Sequence, residues 1–161
     1  MILIDACHSG AIIDGTNAKG NTRGVEPQAM DFNKAFLNAF SGSEAKRGNK
    51  SEENFSRYYI MTAAAADEAS WEMSGWDGSG KSMGVFTYYL CKGCGWDGIR
   101  NKAVNKAADA NVDGLVTFGE AFVYARDKAY EEVLGLDVQD EDNKQNAQSN
   151  AGDLQAFSPF R

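Results

Sequence analysis

The residues best suited to chemistry stand near the start of the chain, in "ILIDACHSG": the carboxylate of Asp5, the thiol of Cys7 and the imidazole of His8. A free thiol titrates near about 8.5, so only a few per cent is thiolate at neutral pH, and nucleophilic use of Cys7 requires a base to take or balance its proton. Backbone N–H groups at the turn, that of Cys7 among them, would stabilise the oxyanion formed in acyl transfer. Ser9 and Gly10 leave that space open. His8 is the only histidine of the chain. Neighbouring side chains at a strand end point to opposite sides, so His8 is expected to face away from Cys7. Asp5 lies two residues before Cys7, on the same face. Its carboxylate suits a hydrogen-bonded pair with an arginine or a simpler ion pair with a lysine; the structural alternative is a cap on the following turn.

The elements that must hold these groups follow from patterning. Ile2, Leu3 and Ile4 form an apolar run of the kind buried on both faces in parallel α/β sheets, and a strand of this type delivers the next residues to the sheet's C-terminal edge, where such folds place their chemistry. A strand at the very start implies that earlier strands of the sheet are missing. Residues 11–28 read as loop with room for one helical turn. Met30, Phe32, Phe36, Leu37 and Phe40 make a helical stripe, and residues 41–56 a polar exposed loop. "RYYIMTAAAA" reads as a second strand ending near Ala64, and the Gly-rich stretch 67–82 as irregular. Val85, Phe86, Tyr89 and Leu90 are spaced for one helix face, with Gly93 as terminator. Residues 96–109 are a weaker helix candidate. Phe118, Phe122, Ala125, Ala129 and Val133 predict a long helix closed by Gly135. The tail, 136–161, is acidic, rich in Asn and Gln, and expected to be loosely ordered. The result is an α/β pattern over residues 1–135 with too few strands to close a sheet alone.

Bulk properties narrow the partners. A chain of 161 residues supports one domain. A net charge of −7 argues against nucleic acid and anionic membranes, which require basic patches. No apolar run is long enough to span a bilayer, so a soluble protein is expected, cytoplasmic or exported. Three cysteines do not make a disulfide framework. Cys91 and Cys94 form one C-x-x-C without the further ligands zinc needs, and without the βαβ context of a thiol redox site; they read as structural or incidental thiols.

"DACHSG" after an apolar strand resembles the nucleophile motif of metacaspases and bacterial caspase-like cysteine peptidases, and "YYIMTAAAADEASWE" followed by "GVFTYYL" is similar to the strand, specificity loop and helix of the caspase small subunit. The resemblance covers roughly residues 1–125, in the same order. It implies a caspase–haemoglobinase-like sheet with flanking helices, incomplete because its N-terminal strands are missing, and a cysteine endopeptidase with Cys7 as nucleophile and its backbone N–H in the oxyanion hole. It also implies cleavage after Arg or Lys. Caspases that cleave after aspartate carry glutamine where this chain has Asp5, and "SWE" at Ser70–Glu72 aligns with a caspase "SWR" of opposite charge. Asp5, Ser70 and Glu72 are therefore the expected substrate-binding residues, and proteins or peptides with basic residues the expected substrates. In the resembled family the catalytic histidine comes from an upstream strand that this sequence does not contain. The chain is expected to be a fragment, inactive by itself, whose partner is the missing N-terminal region supplying that histidine. Lys46, Arg47, Lys50 and Arg57 lie where related enzymes are self-cleaved.

"DANVDGLVTFGE" matches a calcium loop, with Asp109, Asn111 and Asp113 at the first, third and fifth positions, Gly114 at the sixth and Glu120 at the twelfth. Leu115 would contribute its carbonyl and Thr117 would bind through water; Val116 supplies the inward apolar residue. Ca2+ is thus an expected ion, and no organic cofactor is expected. An Asx-rich turn is the alternative for the loop. For the whole chain the competing reading is a non-catalytic, calcium-binding scaffold descended from a peptidase.

Overall fold

The computed structural model describes residues 2–5, 59–65, 68–75, 78, 80–135 and 144–149. They form a mixed α/β arrangement of two helices and small sheets. Strand β1 (Ile2–Ile4) pairs in parallel with β2 (Ile60–Thr62), Ile2 opposite Ile60 and Ile4 opposite Thr62. All three residues of β2 are fully buried, whereas β1, expected to be covered on both faces, buries Ile4 and leaves Leu3 exposed. Ala63 extends the pairing by donating its N–H to the Ile4 carbonyl at 2.9 Å.

Three segments depart from the sequence expectation. The Gly-rich stretch read as irregular contains an antiparallel hairpin, β3 (Glu72–Ser74) with β4 (Ser82–Gly84), in register Glu72 opposite Gly84. The weak helix candidate over 96–109 is instead a hairpin of β5 (Trp96–Asp97) and β6 (Lys102–Ala103). Its turn is built by the buried Asp97, whose Oδ1 accepts the N–H groups of Ile99 (3.1 Å) and Arg100 (2.9 Å) while Oδ2 pairs with the Arg100 guanidinium at 3.0 Å. A side chain that captures two successive backbone donors removes them from any helical ladder. Finally, part of the acidic tail returns to the core. β7 (Gln148–Ser149) pairs antiparallel with β2, giving the sheet order β1-β2-β7, and Gln145 is fully buried. Glu68 ties the segment down through the Asn146 N–H (2.6 Å) and side-chain amide (2.5 Å). The helical stripe of Met30 to Phe40 and the polar loop 41–56 lie outside the described residues.

Both expected helices form. Helix α1 (Val85–Gly93) follows β4 directly and ends on Gly93 as its spacing requires. Helix α2 (Phe118–Leu134) starts on a capping box, Thr117 and Glu120 bonding reciprocally, and ends at Gly135. Its buried stripe, Phe118, Ala121, Phe122, Ala125, Ala129 and Val133, alternates aromatic bulk with alanines that let α1 approach. Phe86 meets Phe122 edge-on, ring centroids 6.5 Å apart. Tyr89 donates to Glu132 at 2.6 Å across the same helix pair. Among the described residues no helix is long and apolar enough to cross a membrane.

Candidate functional site

β1 is a short apolar strand whose neighbours in space are β2 and, past its C-terminal end, the start of α1. That end is where Asp5 emerges. Its exposed carboxylate gathers groups from two distant segments. Ser70 Oγ donates to Oδ1 at 2.5 Å, and Oδ2 accepts both the Thr87 hydroxyl at 2.5 Å and the Thr87 N–H at 3.3 Å. The reason lies in α1. The first turn of any helix carries N–H groups with no partner inside it, and the residue preceding this helix, Gly84, has no side chain to cap them. Val85 solves its share by donating to the Trp71 carbonyl at 2.8 Å. Thr87, third in the helix, uses Asp5. The carboxylate is therefore a cap supplied from another strand, at the helix end where negative charge is favoured.

Gly84 permits this closeness. A Cβ built there would lie 2.2 Å from Asp5 Oδ2, so any other residue would push the carboxylate away. Ser70 is held in reach by its neighbour: Trp71 uses both backbone groups, its N–H donating to Gln145 Oε1 at 2.9 Å and its carbonyl accepting from Val85. Trp71 is half-buried against the core, an anchor for the 70–72 segment, and its indole N–H is buried without a partner, as is the Gln145 side-chain amide nitrogen.

Of the residues expected to bind substrate, the structure brings Asp5 and Ser70 into direct contact. Glu72 is exposed on β3, opposite Gly84 in the hairpin register, and among the described residues it makes no bond to Asp5. Cys7, with its thiol and the backbone N–H expected in an oxyanion hole, lies outside the described residues, as do His8, Ser9, Gly10, Lys46, Arg47, Lys50 and Arg57. Thr87 was not legible as a site residue. The one signal for it is local: a helix entered from glycine lacks its own cap, and a Thr in the first turn offers a hydroxyl beside the orphaned donors.

The second constellation, 109–120, has the expected backbone. Gly114 takes φ +85° at the sixth position, a conformation side chains resist, and Val112, two before it, is also left-handed and almost fully exposed. Asp109 accepts from the N–H groups of Asp113 (3.1 Å) and Gly114 (2.8 Å), and Asp113 accepts from Leu115 at 2.8 Å. Asn111 Oδ1 also accepts from Asp113 N–H, at 3.0 Å, and Lys106 donates to the Gly114 carbonyl at 2.8 Å. Val116 is buried as the inward residue. Glu120 is engaged: Oε2 takes the Thr117 N–H (2.9 Å) and hydroxyl (2.8 Å), and Oε1 faces the Ala110 N–H at 3.2 Å. Desolvation pushes the Glu120 carboxyl up, but these donors outweigh it and hold it below the usual range. Among the described residues no three carboxylates, thiols or imidazoles converge to hold a metal. Asp109, Asn111, Asp113, Leu115, Thr117 and Glu120 are of the right types along a loop of the right shape, and the side-chain oxygens of Asp109, Asn111, Asp113, Thr117 and Glu120 accept from backbone donors.

Cys91 and Cys94 are free and half-buried, and burial raises both thiols, Cys94 to about 12. Burial thus disfavours the thiolate form of both. Comparison of the chain with protein-family models, curated proteins and solved structures produced no match.

Proposed function

We propose that this chain is the nucleophile-bearing part of a caspase-like cysteine endopeptidase that cleaves after Arg or Lys. The observation that carries the reading is Asp5: an exposed carboxylate at the C-terminal end of β1, two residues before Cys7, fixed by Ser70 and Thr87 and charged to receive a cation. In this reading the basic side chain before the scissile bond enters beside Asp5, which sets the substrate carbonyl against Cys7 Sγ. A histidine from a region preceding this sequence takes the thiol proton. The thiolate attacks the carbonyl, the backbone N–H of Cys7 steadies the oxyanion, and the same histidine protonates the leaving amine. Water then hydrolyses the acyl-enzyme. Glu72 adds negative potential at the mouth of the site.

The test is covalent labelling in the longest protein the gene encodes. A lysyl or arginyl acyloxymethyl ketone is expected to alkylate Cys7, and Asp5→Asn to slow labelling by about 30-fold or more, the cost of leaving a bound cation unpaired. Equal labelling by an aspartyl probe would refute the basic preference.

A calcium-binding role, with or without catalysis, is favoured by one observation, the left-handed Gly114 at the sixth position of a loop with oxygen donors at its ligand positions. The fit is conditional on Glu120, which must exchange its Thr117 partners for the cation. Asp109, Asn111, Asp113 and Glu120 would then hold Ca2+ by their side chains and Leu115 by its carbonyl, stabilising the start of α2. Titration calorimetry with millimolar calcium is expected to show heat that Glu120→Gln abolishes; a flat titration removes the ion from the account.

A further inference from the structure

The hydrogen bonds around Asp5 narrow the substrate further than the charge does. An ionised carboxylate offers about four acceptor positions, two on each oxygen, and a bidentate guanidinium fork needs a free one on both. Here the two oxygens are unequal. Oδ2 accepts two donors from one residue, the Thr87 hydroxyl at 2.5 Å and the Thr87 N–H at 3.3 Å, whereas Oδ1 accepts only the Ser70 hydroxyl at 2.5 Å. Counting the donors of the described residues, one acceptor position remains, on Oδ1. Gly84, with no side chain, leaves the room that Oδ2 occupies, and the bonds from Ser70 and Thr87 fix which edge the carboxylate presents.

We infer that Thr87 makes the Asp5 pocket selective for lysine over arginine, by filling Oδ2 so that the acid meets its ligand through a single oxygen. The inference rests on the reading of Asp5 as the acid that receives the basic side chain. A lysine ammonium is a compact charge whose interaction with one oxygen is complete. A guanidinium spreads its charge over a plane and reaches full strength only through two parallel N–H donors. At this carboxylate it makes one bond and leaves the second prong to water.

The determinant is the Thr87 hydroxyl and not its N–H, which stays with the helix whatever the side chain. Thr87→Val keeps the shape and the N–H, removes the hydroxyl, and so frees one position on Oδ2. With one position open on each oxygen, the fork fits. Thr87→Ser restores the donor.

The test titrates the 161-residue chain, isotopically labelled, with Nα-acetyl-lysine amide and Nα-acetyl-arginine amide, following the amide resonances of Ser70, Gly84 and Thr87. In the natural protein the lysine compound is expected to bind tighter. In Thr87→Val the ratio should move toward arginine by about tenfold, the worth of one added charge-assisted hydrogen bond. Thr87→Ser should return it. Arginine binding as tightly as lysine to the natural protein, or a ratio unmoved in a folded Thr87→Val protein, overturns the selectivity and leaves the basic pocket standing. The first comparison needs no variant. If neither compound shifts those resonances, in the natural protein as in Asp5→Asn, the pocket reading itself falls and the selectivity with it.

Discussion

Replacing Gly84 by alanine tests whether the Asp5 carboxylate is held where the structure has it. The new Cβ would lie 2.2 Å from Oδ2 and 2.8 Å from Cγ, so the side chain must rotate, and rotation breaks its bonds to Ser70 and both Thr87 donors. Hydrogen bonds to a charged group are worth about 1.5–3 kcal/mol when sheltered, and in an exposed site such as this nearer about 0.5–1 each. Three of them amount to about 1.5–3 kcal/mol. Alanine gives back about 0.4–1 kcal/mol by stiffening the unfolded chain, because the Gly84 backbone, φ −57° and ψ 135°, is open to any residue. The expected net cost is about 1–2 kcal/mol, a fall in Tm of roughly 3–6 °C for a chain of this size. The decisive measurement is a double-mutant cycle by thermal or urea unfolding. In an Asp5→Ala background there is no carboxylate to displace, so Gly84→Ala should become neutral or slightly stabilising. If Gly84→Ala costs the same in both backgrounds, within about 0.3 kcal/mol, its effect is unrelated to Asp5 and the geometry of the site is wrong.

Two further predictions concern ionisation elsewhere. Asp97 is held below the usual carboxylate range, chiefly by the Arg100 N–H and also by its guanidinium, against the opposing effect of desolvation. A depressed folded pKa contributes stability above the ordinary value near about 4 that disappears as pH falls through the folded one, so hydrogen-exchange protection of Ile99 and Arg100 should drop on acidification. Asp97→Asn should remove that pH dependence. Tyr89 is raised well above the ordinary tyrosine value, first by burial and then by its bond to Glu132. Its contribution is present below about pH 10 and lost as pH rises through the higher folded value, so ultraviolet titration should find a tyrosine that ionises only on unfolding. Tyr89→Phe should cost about 1 kcal/mol and abolish that late step.

How much of this was readable beforehand depends on the range of the interactions. Both helices were legible because their signals are local and repeat: apolar residues every three to four positions, and a Thr117–Glu120 capping box within one turn. β1 was legible as an apolar run and β2 as a β-branched and aromatic stretch passing into small residues. The hairpins over 72–84 and 96–103 were not, since strands of two or three residues carry no period, and one of them depends on where the Asp97 carboxylate turns. β7 was hidden for another reason. Gln148 and Ser149 are polar, and they join the sheet on the side of β2 away from β1, held there as Glu68 captures Asn146, 78 residues away in the chain.

The candidate site divides the same way. Residue type and spacing alone put a carboxylate two places before a thiol at the end of an apolar strand, because a strand's alternation assigns faces without knowledge of what surrounds it. Only the tertiary structure decided what that carboxylate can accept. Thr87 stands 82 residues from Asp5, and it arrives there because a helix entered through glycine has orphaned N–H groups that must find an acceptor somewhere. A hydrogen bond has no sequence range: once folding brings the two together, the acceptor positions left over are set by geometry.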